Sequence, residues 1–211
     1  MKIFIAVPCM EQLDVDFVRS LMTLEQIGEV MIDFVSGSLV YTAREELAKK
    51  ATACGAEYIL WLDSDMVFEP STLKNLMEDI EGGKDFVSGL YFRRRAEFNP
   101  VLYKTIRMGS RSLGDSSVIE QYDDYPKDSI FEIDACGFGC VLMKTAMLWP
   151  MAERYHAYFQ PLFGYGEDIS FCIRAKELGF KLYCDSRVKL KHIAKTYSDE
   201  EHYLSWRGTH G

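Results

Sequence analysis

Two short acidic groups and one histidine are the residues of this chain whose types and spacing could do chemistry. Asp63-Ser64-Asp65 directly follows Tyr58-Ile59-Leu60-Trp61-Leu62. That apolar run is too short for an average helix and reads as a strand buried on both faces. In an open α/β sheet, ligands bind at the carboxyl ends of the strands, so the acidic pair stands where chemistry is expected. Two carboxylates this close, both ionised and desolvated, repel each other unless one holds a proton or a cation lies between them. A hard divalent ion, Mn²⁺ or Mg²⁺, suits oxygen ligands of this kind. The competing reading is an acidic turn leading into a helix, because Glu69-Pro70-Ser71 is a good helix start. A second acidic pair, Glu167-Asp168, opens a helix after the turn-rich Phe163-Gly164-Tyr165-Gly166, and His192 closes a late strand.

The elements that must position these groups follow from hydrophobic periodicity. Ile3 to Val7 reads as a first buried strand stopped by Pro8. Asp14 or Asp16 caps a helix carrying Phe17, Leu21 and Leu24 on one face, with Gly28 ending it, and Val30 to Val35 is a second strand. Thr42 offers an N-cap for a helix from Ala43 to Ala53, stopped at Gly55. After the strand at 58–62, Leu73, Leu76, Met77 and Ile80 form a helical stripe ended by Gly82-Gly83, and Asp85 to Leu90 is a further strand. This β-α-β-α-β-α-β order predicts a doubly wound, mostly parallel sheet with helices on both faces, and residues 1–92 read as a nucleotide-binding half.

The regularity breaks at Arg93-Arg94-Arg95. Residues 93–194 are expected to form an acceptor and catalytic half of the same domain. It holds a hairpin or loops with short strands near Val101–Lys104 and Ser117–Tyr122, among Pro100, Gly109 and Gly114. Strands are expected at Ile130–Ala135 and Gly139–Met143, then a short helix from Thr145 interrupted at Pro150, and a helix over 168–178 that ends at Gly179. Late strands read as Lys181–Cys184 and Arg187–His192, with a polar tail over 195–211.

Composition narrows the function classes. The chain has 211 residues, a net charge of −8 and 48% hydrophobic residues, which suits one domain with a substantial core and argues against a nucleic-acid scaffold or general membrane binder. No apolar run approaches the length of a bilayer span, so no transmembrane segment is expected and the location is read as cytoplasmic. Six cysteines without a CxxC pair read as free thiols, and Cys136, Cys140 and His192 lack a fourth partner for a zinc site.

The combination LWLDSDMVF, then GFGCVLMK, then GYGEDISFCIRAKELGFKLYCDSRVKLKH resembles the GT-A glycosyltransferases, in particular the inverting, family-2-like enzymes, over residues 2–194. The resemblance implies transfer of a sugar from a nucleoside-diphosphate donor (a UDP- or GDP-sugar) to an acceptor hydroxyl, a carbohydrate or another alcohol. It also implies a divalent metal that stabilises the leaving diphosphate. On that reading Asp65 is the main metal ligand, Asp63 binds the metal through water or holds the ribose, and His192 is the third ligand. Asp168 is the general base for the acceptor hydroxyl, with Glu167 its rival. The nucleotide is expected near Ala6-Val7-Pro8 and Ser64, approached by Arg44, while Arg93 to Arg95 meet the diphosphate or a negatively charged acceptor, or at least two of them stay solvated. Gly137 and Gly139 let backbone approach the donor or are strand kinks. Plain alternatives stand beside these roles: a surface histidine, a helix-capping Asp168 and an exposed helix-start Arg44. Two other functions compete, a non-catalytic nucleotide-sugar or glycan-binding module and a sugar-phosphate nucleotidyltransferase. The second lacks the Gly-rich phosphate loop after the first strand.

Overall fold

The computed structural model describes residues 1–94, 98–107, 118–162 and 164–194. Arg95, Gly109, Gly114, Phe163 and the expected tail lie outside the described residues. The first half runs β1 (Lys2–Pro8), α1 (Val15–Thr23), β2 (Glu29–Val35), α2 (Val40–Ala53), β3 (Tyr58–Leu62), β4 (Met66–Val67), α3 (Thr72–Glu81) and β5 (Phe86–Leu90). Next come β6 (Leu102–Arg107), β7 (Val118–Gln121), β8 (Ile130–Ile133), β9 (Ala135–Cys136) and β10 (Cys140–Lys144). A 3₁₀ turn at Thr145–Met147 leads into α4 (Leu148–Tyr155), followed by α5 (Glu167–Glu177), β11 (Leu182–Lys189) and β12 (Lys191–His192).

Seven strands form the central sheet in the order β2-β1-β3-β10-β5-β11-β8. β2, β1, β3, β5 and β11 run one way, while β10 and β8 run against them. The expected parallel β-α-β succession holds, and β10 wedges antiparallel between β3 and β5. Strict alternation along the central strands explains why both faces are covered. Ile3, Ile5, Val7, Leu60 and Leu62 join Phe17, Leu73 and Leu76 in one core. Phe4, Ala6, Ile59 and Trp61 face a second core with Leu47, Phe138, Phe159 and Phe171. In the second core the aromatic rings meet edge-on or stacked, with Phe159 4.9 Å from Trp61 and 4.8 Å from Phe171.

Several element ends differ from the sequence reading. Asp14 caps α1 through its side chain, but α1 stops at Leu24, and Gly28 (φ +70) instead turns the chain into β2. An added Cβ at Gly28 would lie 2.6 Å from the Met1 carbonyl oxygen. α2 starts at Val40 rather than Ala43, because the Leu39 carbonyl takes the Thr42 and Ala43 N–H groups and no side-chain cap is used. Pro150 does not interrupt α4: it sits in the first turn, where no intrahelical N–H bond is lost. The two late strands are one strand, β11, followed by a short β12. The polar residues at 185 and 186 that read as a break are buried and satisfied. Asp185 accepts from the Arg187 backbone N–H at 2.9 Å and from its guanidinium at 2.8 Å, and the Ser186 hydroxyl donates to the Pro126 carbonyl at 2.7 Å.

Candidate active site

The acidic turn sits where the carboxyl ends of β3 and β1 meet the open edge of the sheet. Asp63 donates its N–H to the Gly139 carbonyl at 3.1 Å, and Met66 N–H closes a tight turn onto the Asp63 carbonyl. β4 then pairs antiparallel with β12, Met66 opposite His192, and Ile193 N–H donates to the Asp65 carbonyl at 2.8 Å. That two-residue ladder brings His192 to Asp65, with Nε2 3.5 Å from Asp65 Oδ2. The His192 Nδ1–H donates to the Phe92 carbonyl at 2.9 Å, which fixes the tautomer and turns the Nε2 lone pair toward the carboxylate. Two acceptors facing each other need a positive charge between or upon them. Although burial works against ionisation of either group, the hydrogen bond between them and the Coulomb field of Arg94 hold Asp65 below the usual carboxylate range. Burial likewise opposes the charged imidazole, and the Asp65 and Phe92 contacts raise His192 above its ordinary value. Arg94 reaches the same oxygen, Nη1 to Oδ2 at 2.8 Å.

Asp63 faces the other way. Arg44, only 2% exposed, donates from Nη2 to Asp63 Oδ1 at 2.7 Å and from Nε to Glu167 Oε1 at 3.2 Å. Its guanidinium also lies over the Phe138 ring, 5.4 Å from the centroid. The exposed-arginine alternative is therefore excluded: Arg44 is a buried strut between the two acidic motifs. Of the expected metal set, Asp65 and His192 come together while Asp63 is engaged by Arg44. Among the described residues no group of three or more His, Cys, Asp or Glu side chains stands ready to hold a metal by itself, Cys136, Cys140 and His192 included. The donors that do meet, one carboxylate oxygen and one imidazole nitrogen oriented by a carbonyl, fit Mn²⁺ or Mg²⁺ with other positions left to a ligand or water.

Glu167 and Asp168 open α5 behind a loop that is held from three sides. Glu45 accepts the Tyr158 and Phe159 N–H groups, both at 2.9 Å from Oε2, and Arg174 donates to the carbonyls of Tyr158 and Gln160. Ser170 accepts from Leu162 N–H and donates to the Gly166 carbonyl. Asp168 folds back on its own helix start, where Oδ1 accepts from Ile169 N–H at 2.7 Å. Burial first, then the neighbouring Glu167, push its carboxyl up to about 6.

A cavity of about 640 Å³ opens over this edge, lined by Pro8, Ser38, Val40, Asp63, Ser64, Asp65, Tyr91, Arg93, Arg94 and His192. Pro8, Asp63, Ser64, Asp65 and His192 line this one cavity together with Arg93 and Arg94. Asp168 is tied to them through Glu167 and Arg44 rather than lining it. Sequence reasoning missed Tyr91. It stands one residue past β5, at the same sheet edge as Asp63, and that position was the signal. The Tyr91 hydroxyl accepts Gly139 N–H at 3.1 Å, and its ring meets His192 edge-on at 5.7 Å. Gly137 and Gly139 make room for this ring: an added Cβ at Gly137 would lie 2.0 Å from the Tyr91 hydroxyl oxygen, and one at Gly139 2.8 Å from Tyr91 Cζ. We expect Gly137→Ala to cost ~1–3 kcal/mol. Tyr91→Phe, which removes the clashing oxygen, should recover part of that loss in the double variant. Strictly additive melting shifts would refute this coupling.

The sheet order and the acidic turn at its carboxyl edge define a GT-A fold. The chain belongs to glycosyl transferase family 2, whose model matches residues 37–147. No curated protein matches the sequence. Among solved structures, A197 from STIV superposes with a TM-score of 0.65 at 19% identity, over 92% of this chain and 86% of that one. GalNAc-T7, solved with UDP, GalNAc and Mn²⁺, superposes with a TM-score of 0.62 at 10% identity. That match covers 93% of this chain and 43% of the longer GalNAc-T7 chain. Both likenesses speak for the fold alone. No helix among the described residues is long and apolar enough to cross a membrane.

Proposed function

We propose that this family-2 domain moves a sugar from a UDP- or GDP-sugar to an acceptor hydroxyl, with a divalent cation at Asp65 and His192 and with inversion at the anomeric carbon. The observation that carries the reading is the convergence of three distant segments at one sheet edge: the Asp63–Asp65 turn, His192 on β12 and the Glu167-Asp168 helix start tied to Asp63 by Arg44. In this reading the nucleotide would lie along Pro8, Ser38 and Ser64, which line the cavity together with Asp65. Mn²⁺ or Mg²⁺ bound there would act as a Lewis acid on the leaving diphosphate. GalNAc-T7, of the same fold, was solved with UDP and Mn²⁺, which is consistent with this choice of ligands.

Within that frame the chain's own carboxylates divide the work. Glu167 is held by the Arg44 guanidinium and serves to fix the helix start. Asp168 has no side-chain cation against it at hydrogen-bond distance among the described residues, and its raised proton affinity suits a general base that must accept the acceptor's proton.

Thermal unfolding with UDP or GDP, with and without Mn²⁺, tests the donor half of the reading. A nucleotide at a hundredfold its Kd should stabilise by roughly 2.7 kcal/mol. The shift should need Mn²⁺ and vanish in Asp65→Ala. No shift with either nucleotide at millimolar concentration would remove the donor reading.

A further inference from the structure

Arg94 holds a position that the proposed chemistry leaves unexplained. Its guanidinium sits 2.8 Å from Asp65 Oδ2, the same oxygen that faces His192 Nε2 at 3.5 Å. Two positively chargeable groups thus converge on one carboxylate oxygen, while the second carboxylate of the motif is already compensated by Arg44. Arg94 also lines two neighbouring cavities. One is the donor cavity. The other, of about 580 Å³, is lined by Glu11, Gln12, Asp14, Gly37 and Ile193, and the two share Met10, Ser38, Ser64, Asp65 and Arg94. The segment that carries Arg94 is anchored just before it, by the Phe92–Pro100 bridge and by the Phe92 carbonyl on His192. The side chain itself is half exposed, at 50%. A long, exposed side chain on an anchored backbone can swing without moving the site around it.

We propose that Arg94 is an internal counter-ion for Asp65 which a divalent cation displaces, and that the freed guanidinium then binds the diphosphate of the nucleotide donor. The inference rests on the donor reading above and deepens it. A guanidinium and a divalent ion on one carboxylate compete, because each cation weakens the other's attraction to it. Once displaced, Arg94 stays at the rim of the cavity, beside the position of the diphosphate. Its planar fork matches phosphate oxygens there in two parallel hydrogen bonds. Arg94 therefore works against the metal in the empty protein and for the donor in the loaded one. Cation and nucleotide binding become mutually reinforcing, since each removes Arg94 from the state the other disfavours.

The test is a pair of affinities measured on the same variants. Mn²⁺ binding is read without nucleotide by the free-ion paramagnetic resonance signal. UDP and GDP binding is read by titration calorimetry at saturating Mn²⁺. Arg94→Ala should bind Mn²⁺ about five- to tenfold more tightly than the parent and the nucleotide about tenfold more weakly. Arg19→Ala, which removes an exposed charge outside both cavities that pairs with Asp16, controls for the general field and should leave Mn²⁺ affinity within about twofold. Parallel losses of both affinities in Arg94→Ala would make it a structural residue. Equal tightening in both variants would make the effect one of net charge, and either result overturns the proposal. Failure of the donor reading has a different signature: the parent protein itself binds neither Mn²⁺ nor nucleotide, which overturns both.

Discussion

Asp168→Asn is expected to lower turnover on the order of 10²–10⁴-fold while leaving nucleotide affinity near that of the parent and raising the melting temperature. The three effects have one cause. Burial, reinforced by Glu167, pushes the Asp168 carboxyl up to about 6, so the folded protein holds this group's proton more tightly than the unfolded chain does. A carboxyl raised in the folded state contributes stability that is present below its unfolded value and is lost as pH rises through about 6. At neutral pH the group is ionised at a cost, and asparagine, which mimics the protonated form, removes up to about 3 kcal/mol of that cost. Its effect on melting should shrink to little below pH 4, where the parent carboxyl is protonated in both states. The same proton governs rate. In the parent, kcat/KM should climb about tenfold per pH unit below 6 and level off above it, because only the ionised carboxylate can take the acceptor's proton. A pH-rate profile and a melting series on the two proteins suffice. Full turnover in Asp168→Asn would assign the base elsewhere, and an intact binding-only protein would show no turnover in the parent either.

Arg44→Met is the second large effect and acts mainly through the fold. The side chain is buried, 2% exposed, and holds Asp63 at 2.7 Å and Glu167 at 3.2 Å. Removing it leaves two inward-facing carboxylates without a partner, a loss on the order of 3–5 kcal/mol. For a domain of this size each kcal/mol moves the melting temperature by about 2–4 °C, so a fall of roughly 6–20 °C is expected. Arg44→Lys should recover only part of it. One ammonium cannot reproduce a planar fork that spans two carboxylates and packs over Phe138. A direct nucleotide contact would behave in the opposite way, with the melting temperature held and UDP or GDP affinity reduced. That outcome would restore Arg44 to the donor-binding role that its place in the sequence suggested.

Much of this architecture was legible because the determining physics is local. The unbroken apolar runs Ile3–Val7 and Tyr58–Leu62 report two covered faces, and the stripe from Leu73 to Ile80 reports the side of α3 that is buried. A strand that ends in two carboxylates marks the sheet edge, whatever lies around it. Boundaries were less legible where backbone groups or buried polar partners took over from side-chain signals. The Leu39 carbonyl starts α2 ahead of Thr42, and the Arg187–Asp185 contacts carry β11 through a polar stretch that reads as a gap.

Local pattern alone was enough for the doubly wound sheet, the position of Asp63-Ser64-Asp65 at its edge and the candidacy of Asp168 and His192. What the tertiary structure decided is which of these groups face one another. The β4–β12 ladder turns His192 onto Asp65, and β10, inserted between β3 and β5, sets Gly139 against Asp63 and gives Tyr91 its place. Arg44 is separated from Glu167 by 123 positions, and no local pattern records that pair. Periodicity carries the direction of a side chain relative to its own element. The partner it meets depends on how distant elements are ordered in the sheet, and that order is fixed by the packing of the whole core.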